Sequence, residues 1–200
     1  MKKIGFLSFG HWTPSPQSQT QSAADALLQS IDLSVEAERL GMDGAYFRVH
    51  HFARQLASPF PLLAAVGAMT RTIEIGTAVI DMRYENPHYM LEDAGAADLI
   101  AGGRLQLRIS RGSPEQVIDG WRYFGHHTAE GENDTGMGRR HARNFSSCCA
   151  ARASLNLTHT RCFPIRRDCC VLSRTPKACV IVSGGGRLPM RQRLGLPDSE

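Results

Sequence analysis

Short apolar or β-branched runs at residues 3–9, 44–49, 73–80 and 105–110 are each separated from the next by one helix-length segment. This alternation constrains the fold more than any other property of the chain. Strands that follow one another through a helix are joined by crossovers, and crossover connections make neighbouring strands parallel and right-handed in their winding. Residues 13–22, a Pro/Ser/Gln segment without an apolar period, read as a loop.

The helix signals are local and independent. From Ser22, the residues Ala24, Leu27, Leu28, Ile31 and Val35 recur at helical spacing, and Gly41 supplies a stop. Pro59 opens a helix predicted to end at Met69. Pro87 opens another, with Met90, Ala94, Ala97 and Ile100 on one face and Gly102-Gly103 at its end.

Parallel βα units close into a barrel or spread into an open doubly wound sheet, and the alternation fits either. A dinucleotide-binding sheet needs G-x-G-x-x-G after its first strand, whereas this turn reads FGHWTPSPQS. A barrel gathers its chemistry at the C-terminal strand ends. His11, His50, His51, Asp81 and Arg111 all fall there. His51 is expected to be packed and hydrogen-bonded, because adjacent residues at a strand end point to opposite sides. Asp81, Arg83 and Asn86 are read as exposed loop residues with a substrate mouth as the alternative, and His126-His127 as loop surface.

Composition matters chiefly through where it changes. Residues 1–140 carry 13 Lys+Arg against 16 Asp+Glu, and residues 141–200 carry 10 against 3. All six cysteines, Cys148, Cys149, Cys162, Cys169, Cys170 and Cys179, lie in the last third. The pairs are directly adjacent and lack the C-x₂-C spacing of zinc sites, so no metal site is expected. No disulfide framework is expected either. The Gly184–Gly186 run follows no strand and is not read as a phosphate loop. With neither a long apolar run nor a cleavable leader, the expected compartment is the cytoplasm, and no membrane partner is expected.

Three blocks, ERLGMDGAYFRVHHF, ASPFPLLAAVGAMTRTIEIGTAVI and NPHYMLEDAGAADLIAGGRLQLRISRG, occur in an order that resembles the bacterial luciferase-like flavin-dependent monooxygenases. The resemblance covers residues 1–145. It implies a (β/α)₈ TIM barrel of the luciferase-like type, of which this chain holds about four βα units. It also implies a reduced flavin (FMN, or a deazaflavin in some branches), O₂, a small organic substrate, a flavin reductase as partner and dimers in many members. Carried over by position, His50 matches the catalytic base. Arg111 matches an arginine at the flavin phosphate, and Thr77, Ala78 and Val79 match the segment beneath the flavin ring. The Ala78-Val79 bond matches a non-prolyl cis peptide. Ser110 stands at the reactive-cysteine position. Val49 replaces an acidic neighbour of the histidine pair, and Arg108 replaces a strand glycine. A long cation there would either line the flavin pocket or clash inside the barrel, and the damaging outcome is the one expected.

Residues 146–200 form a second segment: basic, cysteine-bearing, and expected to be poorly structured. Loss of resemblance, the charge change and the cysteines coincide, which predicts a change of reading frame near residue 145. Codons for Cys148 to Arg152 can be chosen to conceal Leu-Leu-Arg-Gly-Glu one base earlier. Four βα units leave a barrel wall open, so the chain as given is expected to be impaired, and to aggregate or need a second chain. Two alternatives stand beside the monooxygenase reading. One is a deazaflavin-dependent oxidoreductase. The other is a non-catalytic protein whose basic tail binds nucleic acid or zinc, the former made unlikely by the lack of an aromatic stacking platform.

Overall fold

The computed structural model describes residues 3–112 and 115–154, with backbone alone for 150–154. β1 (Gly5–Ser8), β2 (Gly44–Phe47), β3 (Glu74–Thr77) and β5 (Leu105–Gln106) form one parallel sheet in that order. β4 (Ile80–Asp81) and β6 (Ile109–Ser110) pair beyond it as a short parallel ribbon. The connecting helices are α1 (Ala23–Arg39), α2 (Pro59–Met69) and α3 (Pro87–Ile100), and α4 (Asp134–Ser154) follows a 3₁₀ turn at Gly120–Phe124. Strand order follows chain order, and α1, α2, α3 and α4 pack against each other in series. A doubly wound sheet reverses its order and splits its helices between two faces; this one is wound in a single direction, as a barrel wall is. β1 and β5 are the margins of the sheet, and no strand lies beside the outer edge of either among the described residues.

The elements start and stop for identifiable reasons. Ser22 caps α1 in a capping box with Asp25, and the Asn86 side chain accepts from the His88 and Tyr89 N–H groups to open α3. Phe6, Ala45, Phe47, Ile75 and Leu105 alternate along the strands and bury against Leu63, Val66, Met90 and Ala94 of α2 and α3. Phe6 and Phe47 meet edge to face at 6.0 Å.

Two strands are shorter than expected because one side chain replaces part of the ladder. The Thr77 hydroxyl accepts from the Arg108 N–H and donates to the Arg108 carbonyl, both at 3.1 Å. The β3/β5 ladder therefore stops at Gly76 and Gln106, and pairing resumes at Ile80 and Ile109. The runs predicted as 73–80 and 105–110 each become two strands, and the run 44–49 is regular only over Gly44–Phe47. The Ala78-Val79 peptide bond is cis.

Helix α4 has no counterpart in the sequence reading. Met137, His141, Phe145 and Cys149 recur every fourth residue and are buried, which makes one stripe of a helix. The helix runs to Ser154, past the expected boundary at 145. Cys148 and Cys149 thus belong to packed structure, whereas Cys162, Cys169, Cys170, Cys179 and the Gly184–Gly186 run lie outside the described residues.

Glu38 joins α1 to the start of β3. Its carboxylate accepts from the backbone N–H groups of Arg71, Thr72 and Ile73 and from the Thr72 hydroxyl. Burial pushes this carboxyl up, but the backbone donors outweigh it and bring it from 4.5 to about 2. A depressed carboxyl stabilises the fold above its ordinary value, and that contribution is lost as the pH falls through about 2. Glu38→Gln is expected to cost about 1–2 kcal/mol at neutral pH. Urea melts at pH 7 and pH 2 check this: the gap between variant and parent should close at the lower pH.

Candidate active site

The C-terminal ends of the strands bring together His50, Arg48, the Ala78 carbonyl and Glu115. His50 leaves β2 with its side chain 15% exposed, and its Nδ1 lies 3.1 Å from Glu115 Oε1. On the other side of the ring, Arg48 Nε donates to His50 Nε2 at 3.0 Å. A guanidinium can only donate, so Nε2 carries the lone pair and Nδ1 carries the proton that goes to Glu115. Arg48 also donates through Nη1 to the Ala78 carbonyl at 3.4 Å, and its guanidinium lies 5.8 Å from the centre of the Phe9 ring.

Sequence reading left His50 without an acidic neighbour because Val49 stands beside it. Glu115, from the loop after β6, fills that place with a carboxylate only 3% exposed. Burial raises the Glu115 carboxyl above its ordinary value, while the facing His50 lowers it. No periodicity marks Glu115, and the only signal is an acid shortly after Arg111-Gly112. Arg48 was missed because it sat in a run read as strand.

His51 is packed as expected: it is buried, stacked on Tyr84 at 4.4 Å and edge-on to Phe124 at 4.9 Å. Its Nε2 has no hydrogen-bond partner among the described residues, so the expected hydrogen bond is absent there. Burial keeps its pKa low, which suits a neutral ring. His11 faces Gln55 at 2.6 Å and lines a cavity of about 530 Å³ with Trp12, Phe52 and Gln116.

Asp81 and Arg83 are not exposed loop residues: the Asp81 side chain is 2% exposed and is clamped by Arg83 at 2.7 Å, with Arg83 reaching Asp134 at 2.5 Å. The tight turn after β4 folds the guanidinium back onto the acid. Arg108 is accommodated among the described residues without a clash. It reaches across Gly76, which has no side chain, and places its guanidinium 4.6 Å from the centre of the Tyr46 ring. His126 is half-buried against His141 at 5.0 Å, so of the pair read as loop surface only His127 is exposed.

The residues matched to a flavin lie along this rim. Ala78 and Val79 are half-buried, while Thr77 is fully buried and its side chain is spent on Arg108. Ser110 Oγ is buried without a hydrogen-bond partner among the described residues. Arg111 is exposed. Among the described residues no group of three His, Cys, Asp or Glu side chains could hold a metal ion, and no helix is long and apolar enough to cross a membrane.

A singly wound parallel βα wall with its polar side chains at the C-terminal rim defines a TIM-barrel protein. The chain belongs to the luciferase-like monooxygenase family, whose family model matches residues 7–142. Among curated relatives, the uncharacterised protein y4vJ of Sinorhizobium fredii is 36% identical over 101 residues, covering 50% of this chain and 29% of its own. The alkanal monooxygenase alpha chain of the Kryptophanaron alfredi symbiont is 26% identical over 108 residues, covering 53% and 30%. Among solved structures, the oxygenating constituent of 3,6-diketocamphane monooxygenase from the CAM plasmid of Pseudomonas putida, in complex with FMN, superposes with a TM-score of 0.62. It is 20% identical and covers 74% of this chain and 39% of that one. Monooxygenase RslO1 of Streptomyces bottropensis gives 0.56 at 23% identity, covering 70% and 42%. At these identities the solved structures establish the fold. The chain spans about a third of the length of the curated relatives it matches.

Proposed function

We propose that this chain supplies the base-bearing half of a flavin-dependent monooxygenase barrel, in which reduced FMN and O₂ oxidise a small organic substrate. The observation that carries the reading is the Glu115–His50–Arg48 arrangement beside the Ala78 carbonyl. An imidazole with one nitrogen anchored to a carboxylate keeps the other for proton transfer. The family match favours the same chemistry. FMN is preferred to a deazaflavin because the superposable diketocamphane enzyme holds FMN.

The rim fits a flavin on two counts. Ser110 Oγ is an orphaned buried polar atom, and Arg111 is an exposed guanidinium able to hold a phosphate in its fork. When bound, the reduced flavin would supply the electrons and the O₂ chemistry. Thr77, Ala78 and Val79 would support the ring through backbone and small side chains, and Arg111 would hold the phosphate. His50 would take or return a substrate proton at Nε2 while Nδ1–H stays on Glu115. A separate reductase would deliver the reduced cofactor.

FMN titration followed by flavin fluorescence tests the reading. With four βα units in place, saturable binding is expected weaker than micromolar, and Arg111→Ala should weaken it by about tenfold, the worth of one charge-assisted hydrogen bond. Absence of any saturable binding, or tighter binding to a deazaflavin, would overturn it. Where turnover is measurable, His50→Gln is expected to lower the rate by about 10²–10⁴ with FMN binding unchanged.

A further inference from the structure

Arg48 is half-buried, yet among the described residues none of its hydrogen bonds goes to an acid. Nε goes to the His50 imidazole, Nη1 to the Ala78 carbonyl, and Nη2 donates to nothing among the described residues. Desolvated guanidinium groups are ordinarily matched by carboxylates. Arg108, on the other side of β3 and facing the same interior, likewise rests on a ring, that of Tyr46, without an acidic partner among the described residues. The acid on that face, Glu74, is engaged by Lys3 and Tyr46. Two guanidinium groups without an acidic partner among the described residues therefore lie on this face, and Arg48, the one that reaches the Ala78 carbonyl, covers the lone pair of His50.

We propose that Arg48 is an anion-recognising residue of this rim, and that its guanidinium covers Nε2 of His50 until an anionic group of the substrate draws it away. The substrate class is an organic acid, bearing a carboxylate or another oxyanion that accepts two parallel N–H donors. Such a group would be bound by Arg48 on entry. With Nε2 uncovered, the imidazole accepts a substrate proton there, and the imidazolium that forms faces Glu115. The anion site stands on Arg48 alone; the uncovering step rests on the reading of His50 as the base.

Nitrogen-15 NMR of the histidine-labelled full chain tests this without cofactor or turnover. Free protein should show His50 as the neutral tautomer protonated at Nδ1. Titration with propionate at constant ionic strength should shift the His50 Nε2 resonance saturably, and propionamide, of the same shape but uncharged, should not. Arg48→Met, which keeps the side-chain stem, should weaken the propionate response at least tenfold. Arg48→Lys, which keeps the charge without the fork, should retain a weakened response. The proposal is overturned by a His50 protonated at Nε2 in the free chain, by equal responses to acid and amide, or by an Arg48→Met variant that responds like the parent. If His50→Gln leaves turnover intact while these NMR results hold, the base reading fails and the anion site stands.

Discussion

Arg83→Met is expected to destabilise the fold by about 3–5 kcal/mol, the range for stripping one partner from a buried ion pair. Asp81 is nearly sealed from water, and Arg83 binds it through Nε and Nη2 and through its own backbone N–H. The same guanidinium holds Asp134 at the first turn of α4, and Gly112 and Gly138 pack against the arginine side chain. Losing it leaves a buried carboxylate without its counter-charge and loosens α4 from the strand ends. Urea melts at neutral pH measure the cost. The double variant Asp81→Asn/Arg83→Met separates charge from packing: it should recover at least half of the loss, because removing both charges costs less than stranding one. A double variant as unstable as the single one would mean that packing of the arginine stem dominates.

Gly76→Ala is expected to cost about 3 kcal/mol or more, above the usual range for an overpacked methyl group. A Cβ on Gly76 would run into the carbonyl oxygen of Gln106, a backbone atom that cannot rotate away. The two residues are register partners, so the strain falls on the β3/β5 ladder itself and on the passage that Arg108 uses to reach Tyr46. Gln106→Ala in the same chain should not rescue the defect, since it leaves the carbonyl in place. Circular dichroism melts of the two variants and their combination decide the matter, and a Gly76→Ala protein melting with the parent would show that the strands can separate at little cost.

Local order was legible in the sequence because local chemistry creates it. Ser22, Pro59 and Pro87 mark in the sequence the helix starts they mark in the fold, and the alternation of elements predicts the parallel wall. His50 was picked out by its place at a strand end, and the fold puts it there beside Arg48 and Glu115. What could not be read was whatever depends on distance in space. Glu115 lies 65 residues from His50 and arrives through a loop with no pattern. The break in the ladder arises from one hydroxyl, Thr77, whose partner is on another strand. Helix α4 escaped notice because histidine and cysteine occupy its buried stripe, residues ordinarily read for reactivity and here filling space.

The margins of the sheet carry a consequence for handling the protein. Ile4 and Phe9, at either end of β1, are about half exposed. A backbone edge with apolar flanks recruits another such edge, and recruitment of this kind is second order in protein. Self-association is therefore expected to rise steeply with protein concentration, from dilute samples to high expression levels.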